Sequence, residues 1–235
     1  MIGVLVNTAT VLLGSFIGIL LKKGISQKIS NAVMIAIGAC TLYIGIDGLS
    51  SGNNVLITII SMVCGAIIGT AIDIDKQINR LGDFFKKKAT GNTADFTQGF
   101  VTGSLLFCVG AMTITGSLAS GMTGDNSIIF AKSLLDLVSS MMLASSLGIG
   151  VMVSALFVFV FQGALVLLAG IIGPLFSEAL IGEITCIGSV IIILLGLNII
   201  GIARFKVANY LPAVLLCPLV FYLYNLIAGL INNIL

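Results

Sequence analysis

Apolar runs of about twenty residues, each cut off by a short polar or glycine-containing stretch, recur from one end of this chain to the other. A helix rises about 1.5 Å per residue, so each run is long enough to cross a hydrocarbon core of about 30 Å. The pattern predicts eight membrane-spanning helices, over residues 2–21, 30–48, 55–73, 97–118, 127–147, 151–172, 184–202 and 210–231. No soluble domain fits between them. The fold class is therefore an all-α polytopic membrane protein. One longer connection, IDIDKQINRLGDFFKKK, spaces Ile74, Ile78, Leu81 and Phe85 on a single helical face and reads as an interfacial amphipathic helix.

Composition agrees with that reading. Of 235 residues, 58% are hydrophobic and 9% charged, against about a quarter charged in an ordinary soluble domain. The first run starts at Ile2 with no basic leader and ends at Lys22-Lys23, so it reads as a retained span rather than a cleaved signal peptide. Basic residues sort the loops. Lys22, Lys23 and Lys28 follow the first span, Lys76, Arg80, Lys86, Lys87 and Lys88 the third, and Arg204 and Lys206 the seventh. The connections SSGNN, ASGMTGDNS and GPLFSEALIGE carry neither Lys nor Arg. The positive-inside rule then places both termini on the extracytoplasmic side.

An internal repeat organises the spans. NTATVLLGSFIGIL of the first span aligns without gaps to QGALVLLAGIIGPL of the sixth, pairing Asn7 with Gln162, Ala9 with Ala164, Val11 with Val166 and Gly18 with Gly173. IGACTLYIGIDGL of the second span resembles IGSVIIILLGLNII of the seventh, pairing Gly38 with Gly188 and, after one gap, Asp47 with Asn198. Spans one and six cross in opposite directions, so the repeat of spans one to three by six to eight is inverted, an arrangement typical of secondary transporters. The chain divides accordingly into half A (1–75), a basic loop (76–96), a central polar hairpin (97–150) and half B (151–235). Gly14-x-x-x-Gly18 and Gly65-x-x-x-Gly69 let backbones approach closely, within one subunit or between two, and a homodimer is expected.

Chemistry concentrates in the hairpin of spans four and five. In CVGAMTITGS, Gly110 and Gly116 bracket Thr113 and Thr115, where a helix unwound beside a cavity could offer carbonyls and hydroxyls to a cation; a packed helix with back-bonded threonines is the alternative. In AKSLLD, Lys132 lies near enough to the outer end of span five to snorkel to the headgroups. Asp136 lies one turn deeper, and its short side chain needs a partner or a proton. An aspartate near the bilayer centre costs about 2.5–3.5 kcal/mol on insertion scales. Positions 132, 136, 139, 140 and 143 share one face, so Ser139 and Ser140 accompany the pair. Lys132 and Asp136 then form a structural ion pair, a coupling site in which Asp136 binds Na⁺ or H⁺ with Thr113, Thr115, Ser139 or Ser140, or an element of an ion-selective pore. Asn7, Gln162, Asp47 and Asn198 are secondary polar candidates.

Other functions are disfavoured. Histidine is absent, and the five cysteines, Cys40, Cys64, Cys108, Cys186 and Cys217, lie in different apolar segments without metal-ligand spacing. No nucleophile–base constellation and no Walker-type phosphate loop appears, so neither an enzyme nor a self-contained ATP-driven pump is expected. No cofactor is implied beyond Na⁺ or H⁺ as coupling ion, and the expected partners are the lipid bilayer and a small solute or ion, with no nucleic acid. The expected function is a secondary transporter, with a passive channel and a non-transporting scaffold or regulatory subunit as rivals.

The start IGVLVNTATVLLGSFIGILLKK, the segment FCVGAMTITGS, and AKSLLD with the GIG that follows it resemble the YqgA-like bacterial inner-membrane proteins. The resemblance covers nearly the whole chain and implies a bacterial plasma membrane. That family carries a domain-of-unknown-function label, so it implies no substrate and no site residues.

Overall fold

Leucine, isoleucine and valine without charge over about twenty residues leave the backbone no partner in lipid but itself, and helices result. A computed structural model describes all residues except 23–26, 78–79, 81–92, 109–110 and 233–235. Among the described residues it is all-helical, with α1 (Ile2–Lys22), α2 (Gln27–Leu49), α3 (Val55–Ile72), α4 (Thr93–Cys108), α5 (Ala111–Met122), α6 (Ser127–Leu147), α7 (Ile149–Ile172), α8 (Glu178–Ile200) and α9 (Pro212–Asn232). Short 3₁₀ turns at Gly173–Leu175 and Val207–Tyr210 precede α8 and α9. Residues 74–77 are helical, but Ile78, Leu81 and Phe85 of the expected amphipathic helix lie outside the described residues.

Among the described residues, six helices are long and apolar enough to cross a membrane, namely α1, α3, α6, α7, α8 and α9. The fourth expected span divides. Its two parts, Phe96–Cys108 and Met112–Met122, are inclined by 57° and count as a seventh crossing if taken together. The second expected span contains a shorter apolar helix, Ile35–Leu49. The seventh starts earlier than its apolar run suggests, because Ser177 caps α8 by accepting the Leu180 N–H at 3.2 Å. Glu183, expected in the preceding connection, therefore lies inside the helix.

α8 is the central strut, with 72% of its span buried where the other five have 17–39%. It packs on α2 along nearly their whole lengths, while α1 packs on α6, α4 and α5 on α7, and α3 on α9. Two apolar clusters result. One joins Ile57, Val101, Ile187, Ile191 and Cys217 around α8, and the other joins Val11, Phe107, Leu143, Ala155 and Val158 around α6 and α7.

The glycine faces are spent inside the chain. A methyl group on Gly18 would stand 3.0 Å from the Ser145 nitrogen of α6, and one on Gly69 would stand 3.0 Å from the Asn209 Cα before α9. Both Gly-x-x-x-Gly stretches thus serve close intrachain helix packing. Between α6 and α7 a single residue turns the chain, and Gly148 adopts φ +73°, ψ −146°, which a side chain would disfavour. The long expanse of exposed Leu, Ile and Val on α1, α3 and α9 is the surface such a bundle presents to lipid.

Candidate functional site

At the end of the bundle that carries the loop between α5 and α6, Asn126 gathers three helices. Its Oδ1 accepts the Gly3 N–H of α1 at 3.2 Å and the Ser120 hydroxyl of α5 at 2.8 Å, immediately before α6 begins. From that end, Asp136, Gln162 and the start of α5 lie about 14, 15 and 16 Å along their helices, at about 1.5 Å per residue.

α6 buries the stripe Ile129, Lys132, Ser133, Asp136, Ser140, Leu143, Ala144 and Leu147, the spacing of one helical face. Lys132 does not snorkel. It is 6% exposed, turned inward to pair with Asp136, and its Nζ stands 5.9 Å from the centre of the Phe107 ring at the end of α4. That ring offers the ammonium a cation–π contact, and the carbonyl end of α4 favours a cation there as well. Asp136 is 5% exposed, and the Asn7 side chain of α1 is a neighbour of its carboxylate. Cys108 is buried within electrostatic reach of both charges.

Asn7 and Gln162 belong to the same cluster. Both are fully buried, and Asn7 Nδ2 donates to Gln162 Oε1 at 3.0 Å. Asn7 Oδ1 and Gln162 Nε2 have no protein partner. A buried amide group left unpaired costs about 1–3 kcal/mol, so an open acceptor and an open donor next to an ion pair require an explanation.

The remaining candidates divide. Gly110 lies outside the described residues; Gly116 is buried within α5 against Ile128 and Ile129 of α6. Thr113 donates to the Phe107 carbonyl at 3.0 Å, six residues back across the break, and so occupies a carbonyl at the interrupted helix end. Thr115, in α5, and Ser139, in α6, are half-buried. Ser140 donates to its own helix at Leu137 and faces Gly14 of α1, a packing contact. Asn198 holds the loop after α8, accepting the Phe205 N–H and donating to the Phe205 carbonyl, both at 2.8 Å. Asp47 is exposed near the end of α2. The structure thus gathers Asn7, Lys132, Asp136 and Gln162 beside the break, and leaves Asp47 and Asn198 elsewhere.

A second buried carboxylate escaped the sequence reading. Glu183 is 1% exposed, and its Oε1 accepts the N–H groups of Asn53 and Asn54, both at 2.8 Å, where the chain enters α3. The signal available was an acidic residue six positions after a helix-capping serine, which would have put Glu183 in the second turn of α8.

Comparison with known proteins adds the family. Residues 2–222 match the family described as protein of unknown function (DUF554). The chain is 32% identical over 229 residues to the uncharacterized membrane protein YdfK of Bacillus subtilis (strain 168), an alignment covering 96% of this chain and 97% of that one. It is 33% identical over 222 residues to the uncharacterized protein YqgA of Escherichia coli (strain K12), covering 92% and 94%. No solved structure matches. This chain is a multi-pass membrane protein that belongs to the DUF554 family.

Proposed function

We propose that the protein is a secondary transporter of a small solute or ion in the bacterial plasma membrane, coupled to Na⁺ or H⁺ through Asp136. The observation that carries this reading is the buried Lys132–Asp136 pair beside the inclined ends of α4 and α5, with an incompletely paired Asn7–Gln162 amide couple against it. Ionisable groups at membrane depth mark ion and substrate paths far more often than they serve packing. A broken helix beside them supplies backbone groups that an intact one keeps for itself.

In this reading α2 and the α4–α5 pair each cross once, giving eight spans with both termini extracytoplasmic. Spans one to three and six to eight form the inverted repeat. Its support is that α1 and α7, α2 and α8, and α3 and α9 pack on one another, and that the aligned residues Asn7 and Gln162 touch. Equivalent residues in contact lie on the axis that relates them, which puts the ion pair close to that axis. Because both Gly-x-x-x-Gly faces are consumed within the chain, a homodimer would form through the lipid-facing surface.

The test is thermal unfolding of wild type and Asp136→Asn in Na⁺, Li⁺, K⁺ and choline salts, from mildly acidic to mildly basic pH. A ligand that binds only the folded protein raises stability by RT ln(1 + [L]/Kd). A shift specific to one cation or to acid, absent from the variant, supports coupling. A second reading is favoured by the i, i+4 placement of Lys132 and Asp136 on one helix, which lets them neutralise each other as a purely structural pair. Neutralising both residues at once, with function and partner binding intact, would select it.

A further inference from the structure

The site holds one positive and one negative charge, balanced, with almost no exposure to water. Any lone ion that entered would leave a net charge in a low-dielectric interior, and a cation on Asp136 alone would strip Lys132 of its partner. Uncompensated buried charges are the most expensive outcome available to such a site. What enters must therefore be neutral in sum, and the two unpartnered amide atoms belong to Asn7, a neighbour of Asp136, and to Gln162, which Asn7 holds. Gln162 Nε2 is a donor of the same sense as Lys132 Nζ, and Asn7 Oδ1 is an acceptor of the same sense as the Asp136 carboxylate.

We infer that the site loads a small monoanion of the carboxylate class on Lys132 Nζ and Gln162 Nε2 together with a monovalent cation on Asp136 and Asn7 Oδ1. This rests on the transport reading above and names its substrate class. The Asn7 nitrogen now donates to Gln162 Oε1 beside Asp136; rotation about the terminal Asn torsion, which is broad and nearly two-fold, exchanges Nδ2 for Oδ1 without moving α1, and the cation that Oδ1 then meets is also faced by the freed Gln162 Oε1, while Nε2 stays for the anion. A carboxylate has two oxygens for two donors, an ammonium and an amide N–H, while Na⁺ or a proton needs oxygen, which Asp136 and Asn7 supply. Among the described residues, the titratable groups facing Asp136 are Lys132 on its own helix and Cys108 on α4.

Variants that mimic half-loading test this without knowledge of the natural solute. The purified full chain is unfolded thermally in choline or Na⁺ salts of gluconate, chloride, formate and acetate at matched ionic strength, at mildly acidic and mildly basic pH. Asp136→Asn carries its negative site already neutralised, so formate or acetate in place of gluconate should raise its Tm by about 3 °C even in choline. Wild type should show that gain only where Na⁺ or acid supplies the cation. Asp136→Asn/Gln162→Leu should lose it, and Lys132→Met/Asp136→Asn should respond to nothing. Indifference of both wild type and Asp136→Asn to every anion, or an unchanged gain after Gln162→Leu, overturns the inference. A response to chloride alone overturns the carboxylate assignment. If Asp136→Asn does not fold, the wild-type series decides by itself. A wild-type cation or acid response without any anion dependence removes this inference and leaves the coupling reading standing; no response to cation, acid or anion removes both.

Discussion

Asp136 and Glu183 are both carboxylates buried in a membrane protein, yet they are solved by opposite means. Glu183 gives one oxygen to two backbone N–H groups where the chain turns into α3, and it faces no counter-ion among the described residues. Asp136 is met by the Lys132 ammonium of its own helix α6, which the Phe107 ring of α4 backs, and has the Asn7 amide of α1 as a neighbour. The first arrangement fixes a loop against a helix through fixed backbone donors. The second is made of side chains that can exchange partners, with two amide atoms in reserve. A carboxylate bound to backbone has nowhere to go, whereas one bound to side chains can be released by an incoming ion.

That contrast is breakable. The largest effect is expected from Lys132→Met, which leaves Asp136 buried and unpaired and should cost about 3–5 kcal/mol, whereas Lys132→Met/Asp136→Leu should recover most of it in denaturation while abolishing any ion-linked shift. If the double variant kept the ion response, Asp136 would not be its source. Glu183→Ala comes next. Two part-buried N–H groups lose their acceptor at about 1–2 kcal/mol each, so stability should fall by about 2–4 kcal/mol, with the ion dependence of the remaining transition unchanged. A lost ion response in Glu183→Ala would erase the distinction between the two acids. Gly18→Val should cost about 1–3 kcal/mol by forcing α1 off α6, and should weaken the ion-linked shift as well, because Asn7 rides on α1 and Asp136 on α6.

The smallest effect concerns pH. Asp125, exposed in the loop before α6, is held below its ordinary value of 3.8 by hydrogen bonds from the Ser127 hydroxyl and backbone N–H. A carboxylate depressed on folding contributes stability above its unfolded value and loses it as pH falls through the folded one, so this contribution is confined to acid below about pH 4. Ser127→Ala should raise the Asp125 pKa, measurable by carboxyl NMR shifts, and leave unfolding between about pH 5 and 8 unaltered. A proton-linked transition in that range would then belong to the membrane interior.

Much of the fold was written in the apolar spacing. The starts and ends of α1, α3 and α6 follow the run lengths closely, because a membrane helix is set by how many apolar residues fit a fixed thickness and by where the polar residues stop it. The Lys132–Asp136 pair was equally legible, since a charge in an apolar run is conspicuous and an i, i+4 spacing needs no tertiary knowledge. Glu183 was not. It stood among the polar residues of a span end, and only the capping of α8 by Ser177 places it inside.

What the sequence determined by itself is therefore local: helix lengths and which side chains share a face. Tertiary structure alone decided that Asn7 and Gln162, 155 positions apart, meet at the ion pair, that Lys132 turns inward under Phe107 rather than outward to the headgroups, and that the glycine faces close within one chain. The physical reason is that hydrophobicity does not choose partners in lipid, where every apolar face is already content. Which helices meet depends on shape and on buried polar groups finding one another, and those are properties of pairs of segments that no single segment contains.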